Sequence, residues 1–134
     1  MVILTDCCSS IAGVEPPHRH VPAEWKVVHD LFFAQPGLYD IQSATRGQFG
    51  WSDDANGSFF TQVLAKWLCE PRRNIRSDGQ EGFVSWDEFF PKLRAGTVEL
   101  FNAAQENAPP DAKIKKYEPE TPQAFYLGRL PGAD

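Results

Sequence analysis

Apolar positions recur along this chain with two different periods, and each period predicts an element. Val2-Ile3-Leu4-Thr5-Asp6 is a continuous β-branched and apolar run, which predicts a buried strand. Trp25, Val28 and Phe32 follow at helical spacing with Leu31 beside them, Pro22 suits the first turn, and Gln35-Pro36-Gly37 stops the helix. Leu38 to Ala44 alternates as a strand does, with Tyr39, Ile41 and Ser43 on one side and Leu38, Asp40 and Gln42 on the other. Phe60, Val63, Leu64, Trp67 and Leu68 then form a helical stripe behind Ser58, a good N-cap, and Pro71 ends it. Ser85 and Glu88 make a capping box ahead of Trp86, Phe89, Phe90, Leu93, Leu100 and Phe101. Pro91 lies inside that last helix and is expected to kink it or split off its first turn. Ala108-Pro109-Pro110 breaks the pattern, and Ala124-Phe125-Tyr126-Leu127 reads as a closing strand.

Between these elements lie two long polar stretches. Thr45 to Gly57 is a glycine-rich loop holding Arg46, Gln48, Trp51, Asp53 and Asp54, and loops of that length are usually functional or mobile. Arg72 to Gly82 reads as an exposed loop. The order strand, helix, strand, helix, helix, strand is an α/β pattern, although three strands are few for that class. The first strand starts one residue after Met1, so its expected burial needs neighbours that nothing earlier in this sequence supplies.

Composition narrows the function classes. At 134 residues the chain is one domain, and 42% apolar with 23% charged residues excludes wholesale disorder. A net charge of -5 speaks against nucleic acid, and the nearest basic cluster, Arg72, Arg73 and Arg76, is flanked by Glu70 and Asp78. No apolar run is long enough to span a membrane. Three cysteines make no disulfide scaffold, and without a basic-then-apolar leader the expected setting is reducing and cytoplasmic. The sequon Asn56-Gly57-Ser58 is then incidental.

The candidate chemistry gathers at Cys8, just past the C-terminal end of the first strand, the edge where ligands collect in open α/β sheets. A cysteine there is a nucleophile if a base lowers its pKa, or else a small buried hydrophobe. His18 and His20 follow on a proline-rich loop, where they read as a partner for Cys8, as metal ligands or as solvated loop residues. They lack the paired spacing of a zinc site, and His29 falls inside a helix as a structural residue. Gly82, Val84 and Glu88 fit late positions of a calcium-loop template, but Ser77 and Gly79 bring no carboxylates to its early ones. Trp51 is a ligand-contact candidate or a plain exposed loop aromatic.

Several segments carry a resemblance in consistent order. Val2-Ile3-Leu4-Thr5-Asp6-Cys7-Cys8-Ser9-Ser10 resembles the cysteine strand of caspase-like peptidases of the metacaspase and bacterial branch, which ends in Asp-x-Cys-His-Ser-Gly. Ile41-Gln42-Ser43-Ala44-Thr45-Arg46-Gly47-Gln48 is similar to that family's next strand, with its Ser-Ala end and acidic or amide-rich loop. Gly57-Ser58-Phe59-Phe60-Thr61 is similar to its Gly-x-Phe-Thr helix, and Gly82-Phe83-Val84-Ser85-Trp86-Asp87-Glu88-Phe89 to its Gly-x-Val-Thr-x-x-Glu-Leu helix start. Thr121-Pro122-Gln123 is similar to its closing segment. Ser9 stands where metacaspases have His, and Ile11 where the motif has Gly.

The resemblance implies a partial caspase-like, Rossmann-like sheet with flanking helices over residues 1–128, lacking the N-terminal strands and the catalytic-His segment, with residues 129–134 as a tail. It implies Cys8 as the nucleophile and Cys7 as a core residue. It implies Asp6 as the acid that receives a Lys or Arg side chain, and Ser43, Ala44, Thr45 and Gln48 as a wall of the substrate cleft. The Cys8 N–H would join the oxyanion hole. The family's catalytic His lies in an earlier strand, so this chain is expected to take its base from an N-terminal half or a partner chain, or to self-associate. The expected partner is a peptide or protein substrate. No cofactor is expected, with calcium activation open as in some members. The alternative is an inactive caspase-like fragment acting as a binding or regulatory module.

Overall fold

The computed structural model describes residues 1–6, 25–53, 55–107 and 118–128. Its elements are β1 (Val2–Thr5), α1 (Trp25–Phe32), β2 (Tyr39–Gln42), β3 (Ser52–Asp53), β4 (Gly57–Ser58), α2 (Phe59–Leu68), α3 (Arg72–Ile75), α4 (Trp86–Asn107) and β5 (Gln123–Tyr126). The architecture is mixed α/β. β2 is the middle of a three-stranded sheet, parallel to β1 and antiparallel to β5, and β3 and β4 form a separate two-stranded hairpin.

Register sorts the sheet residues by face. Val2, Tyr39 and Tyr126 are neighbours across the strands, as are Leu4, Ile41 and Ala124. Ile41 is fully buried, and Val2 and Tyr39 pack on the same core as Val27, Leu31, Phe60, Ile75, Val84, Trp86, Phe89 and Leu93. Helices from every part of the chain therefore converge on one face of the sheet. The other face aligns Ile3, Asp40 and Phe125, and both apolar members are 44% exposed. A strand with one covered face and an open edge cannot bury its alternate side chains. This corrects the expectation of a buried first strand: Ile3 and Leu4 are exposed because, among the described residues, β2 is the only strand that pairs with β1.

Three polar anchors fix the helices. Asp30 of α1, 2% exposed, accepts the Val84 N–H at 2.9 Å and a guanidinium N–H of Arg72 at 2.7 Å. The Trp86 indole N–H donates to the Leu31 carbonyl at 2.8 Å. Arg76 pairs with Asp78 and donates to the Phe83 carbonyl at 2.6 Å. Arg72 and Arg76 are thus paired within the chain.

Local signals set the helix ends as expected. The Ser58 Oγ accepts the Thr61 N–H at 3.1 Å, and Ser85 and Glu88 exchange capping-box bonds at 3.3 Å. Three expectations are corrected. α4 runs unbroken through Pro91, so the proline does not split off its first turn. Proline removes a single i→i−4 bond there, near the N-terminus, while Trp86, Phe89 and Leu93 bury on both sides of it. The stretch from Arg72 to Gly82 is not wholly an exposed loop, because it opens with α3, whose Ile75 is fully buried. The loop from Thr45 to Gly57 contains β3 and leads into β4, with Gly57 at φ 83° in the turn region. α2 and α4 meet closely at Gly96, where an added Cβ would lie 2.7 Å from a Val63 methyl.

Candidate functional site

Parallel pairing brings the C-terminal ends of β1 and β2 together. Thr5 lies opposite Gln42, and the Ser43 N–H donates to the Thr5 carbonyl at 2.9 Å, carrying the ladder one residue further. Asp6 and Ser43 therefore leave the sheet side by side, at the edge where α/β proteins place ligands. Asp6 is exposed, but its carboxylate is held. Its Oδ2 accepts the hydroxyls of Ser58 and Thr61, each at 2.5 Å, at the start of α2. Two hydroxyl donors thus fix the Asp6 carboxylate against the start of α2.

The loop after β2 grips the segment that leads into β5. Ser43 is fully buried, while Ala44, Thr45 and Gln48 are half-buried. The Thr45 hydroxyl donates to the Thr121 carbonyl at 2.9 Å. Gln48 accepts the Thr121 N–H at 2.9 Å and donates to Glu118 at 3.4 Å. The cleft-wall candidates Ser43, Ala44, Thr45 and Gln48 thus gather beside Asp6, with the Thr45 and Gln48 side chains tying residues 118–121 to the sheet edge. Cys8, Cys7, His18 and His20 lie outside the described residues.

Glu120 is a member of this cluster that sequence reasoning missed. It is fully buried, and one carboxylate oxygen accepts the Trp51 N–H at 2.9 Å. The other oxygen, Oε1, is buried with no hydrogen-bond partner among the described residues. Burial pushes its pKa up from 4.5 to about 7, the Trp51 N–H pulls the other way, and the negative charge of Asp6 pushes it further up. Nothing in Glu118-Pro119-Glu120-Thr121-Pro122 separates a buried acid from an exposed one; the two flanking prolines are the only local signal that this stretch is held extended. Trp51 is half-buried, not a plain exposed loop aromatic, and its ring lies tilted against Phe101 at 5.5 Å between centres. His29 lies on the open side of α1, stacked on Phe33 at 6.3 Å, and is not a core residue.

The site is acidic and organised around hydroxyl and amide donors. Among the described residues no group of three or more His, Cys, Asp or Glu side chains could hold a metal ion. A separate groove of about 540 Å³ runs between α2 and α4, where Lys66 and Lys92 lie over the Trp67 ring at 5.7 and 5.3 Å. No helix among the described residues is long and apolar enough to cross a membrane. Comparison with protein-family models, curated proteins and solved structures returned no match.

Proposed function

We propose that this chain is the cysteine-bearing, C-terminal half of a caspase-like fold and works as a cysteine endopeptidase preferring Lys or Arg before the cleaved bond. The observation that carries this reading is the convergence of Asp6, two residues before Cys8, with the Ser43–Gln48 loop and residues 118–121 at the C-terminal end of a parallel strand pair. That convergence supports a cleft in which an extended peptide lies across the strand ends and a basic side chain meets a carboxylate. In the proposed reaction a histidine from a second segment or chain takes the Cys8 proton. The thiolate attacks the peptide carbonyl carbon, the C–N bond breaks, and the histidine gives its proton to the leaving amine. Water then hydrolyses the thioester and frees Cys8.

Among the described residues β1 pairs with β2 alone, and Ile3 and Phe125 lie exposed on one sheet face; both support the second component of the proposal, a partner that continues the sheet. The favoured partner is an N-terminal caspase-like half; self-association is the alternative. The same exposed surface favours the second reading, an inactive caspase-like fragment acting as a binding or regulatory module. The two readings separate in the complete assembly. Cys8→Ala is expected to abolish cleavage of an Arg-containing peptide while leaving association intact. Retained cleavage in that variant refutes the peptidase reading, and an assembly that binds but never cleaves establishes the module.

A further inference from the structure

Lys66 of α2 and Lys92 of α4 lie over the same Trp67 ring, at 5.7 and 5.3 Å from its centre. Each ammonium is drawn to the ring face, but the ring carries no net charge to neutralise it. Neither lysine has a carboxylate within ion-pair distance among the described residues. Lys66 is exposed, and Lys92 gives one N–H to the Asn74 carbonyl at 3.1 Å, where an ammonium has three to give. In a chain of net charge -5, two like charges held at one ring make a local demand for an anion.

The ring stands at one end of the groove of about 540 Å³ between α2 and α4. Val63 meets Gly96 and Trp67 meets Lys92, so the two helices run antiparallel and the groove has distinct ends. Lys66 and Lys92 mark the cationic end, Val63 and Leu100 line it with apolar surface, and Glu99 lies about two helical turns along α4 from Lys92. We propose that this groove binds a small organic acid as its monoanion, the acid group at Lys66 and Lys92 and an apolar body along Val63 and Leu100. Size favours a small ligand. The volume falls in the range of about 300–1,000 Å³ typical of small-molecule sites. The lining residues, Gln62 to Trp67 on one helix and Lys92 to Ala103 on the other, are fewer than the roughly 20–30 a side that a stable protein interface takes. Charge sets the rest. Two ammonium groups match one carboxylate or sulfonate, while the exposed Glu99 repels a second negative group at the far end. No residue of the β1–β2 strand ends lines the groove, so binding here is independent of cleavage.

The test is equilibrium dialysis of 2-naphthoate against the full 134-residue chain at neutral pH, with uncharged 2-naphthamide as the comparison. Saturable binding of naphthoate is expected, about three- to tenfold tighter than that of the amide. Raising the salt from about 0.05 to 0.5 M should weaken naphthoate and leave naphthamide unchanged. Lys66→Gln and Lys92→Gln should each weaken naphthoate about two- to fivefold. Glu99→Gln should keep naphthoate binding and bring 2,6-naphthalenedicarboxylate, poorly bound by the unaltered chain, close to it. The amide comparison needs no variant, and Lys66 has no hydrogen bond or ion pair to lose, so the outcome does not hang on a substitution that fails to fold. No saturable naphthoate binding, naphthamide binding as tightly as naphthoate, or binding unchanged in the Lys66→Gln, Lys92→Gln double variant overturns the proposal. So does a naphthoate affinity that falls as the protein is concentrated, which would give the groove to a second copy of the chain.

Discussion

Replacing Glu120 by Gln should remove the loss of stability that this carboxyl brings as pH rises from 4.5 through about 7. The folded chain holds the Glu120 proton up to about pH 7, while an unfolded chain releases it near 4.5. Between those values the folded state binds more protons, so stability falls as pH rises. The contribution is complete below 4.5 and is lost by the time pH passes 7. That gap corresponds to about 3 kcal/mol, a large share of the ~5–15 kcal/mol that stabilises an ordinary domain. Gln keeps an acceptor for the Trp51 N–H at nearly the same volume but carries no charge to desolvate. The variant should therefore match the wild type within about 1 kcal/mol at pH 4.5 and exceed it by about 2–3 kcal/mol at pH 8. Urea unfolding of both proteins at pH 4.5, 6 and 8, followed by tryptophan fluorescence, measures the difference directly. A stability difference that stays flat with pH, or that turns against the variant at pH 8, would refute the assignment of a buried, proton-holding carboxyl.

Other features make equally direct demands. Asp30→Ala leaves the Arg72 guanidinium and the Val84 N–H without their buried acceptor and should cost about 3–5 kcal/mol in a denaturant melt. Gly96→Ala forces a methyl to within 2.7 Å of Val63 and should cost about 1–3 kcal/mol; an unchanged midpoint would show that α2 can slide on α4 at no expense. The chain alone should self-associate through its bare sheet face, and the double change Ile3→Thr with Phe125→Ser should lower its mass in light scattering while moving the thermal midpoint little. A monomer at all concentrations before substitution contradicts that expectation.

The sequence was most legible where structure is local. The stripe through Phe60, Val63 and Trp67, the Ser58 cap and the Ser85–Glu88 box depend on residues a few positions apart, and all formed as read. The Ile41 side of β2 likewise followed from its alternation. What could not be read depends on distant partners. Ile75 sits in a polar stretch with no periodic neighbour, and only the tertiary core reveals why α3 forms. β1 reads as buried by composition, but exposure is set by how many strands lie beside it. Within the candidate site, motif order alone singled out Asp6 and the Ser43–Gln48 loop, and the parallel pairing of β1 with β2 sets the two next to each other. Glu120 was not, since a Glu between prolines carries no mark of burial until Trp51 and Asp6 surround it.

The ties between the loop after β2 and residues 118–121 have a kinetic side. They join positions 69 to 76 apart in sequence. β5 likewise reaches β2 only after the whole helical segment between them has been laid down. Contacts of such span form late, because a long loop must close before they repay its entropy. The helices can thus condense around Trp86 and Phe89 while the far wall of the cleft is still absent. Long-range contacts of this kind also hold Glu120 in place. Partial opening of β5 would therefore dismantle the acidic pocket first and leave the hydrophobic core closed. Condensation of the core and assembly of this polar sheet edge are separable events in this chain, with the C-terminal strand as the step between them.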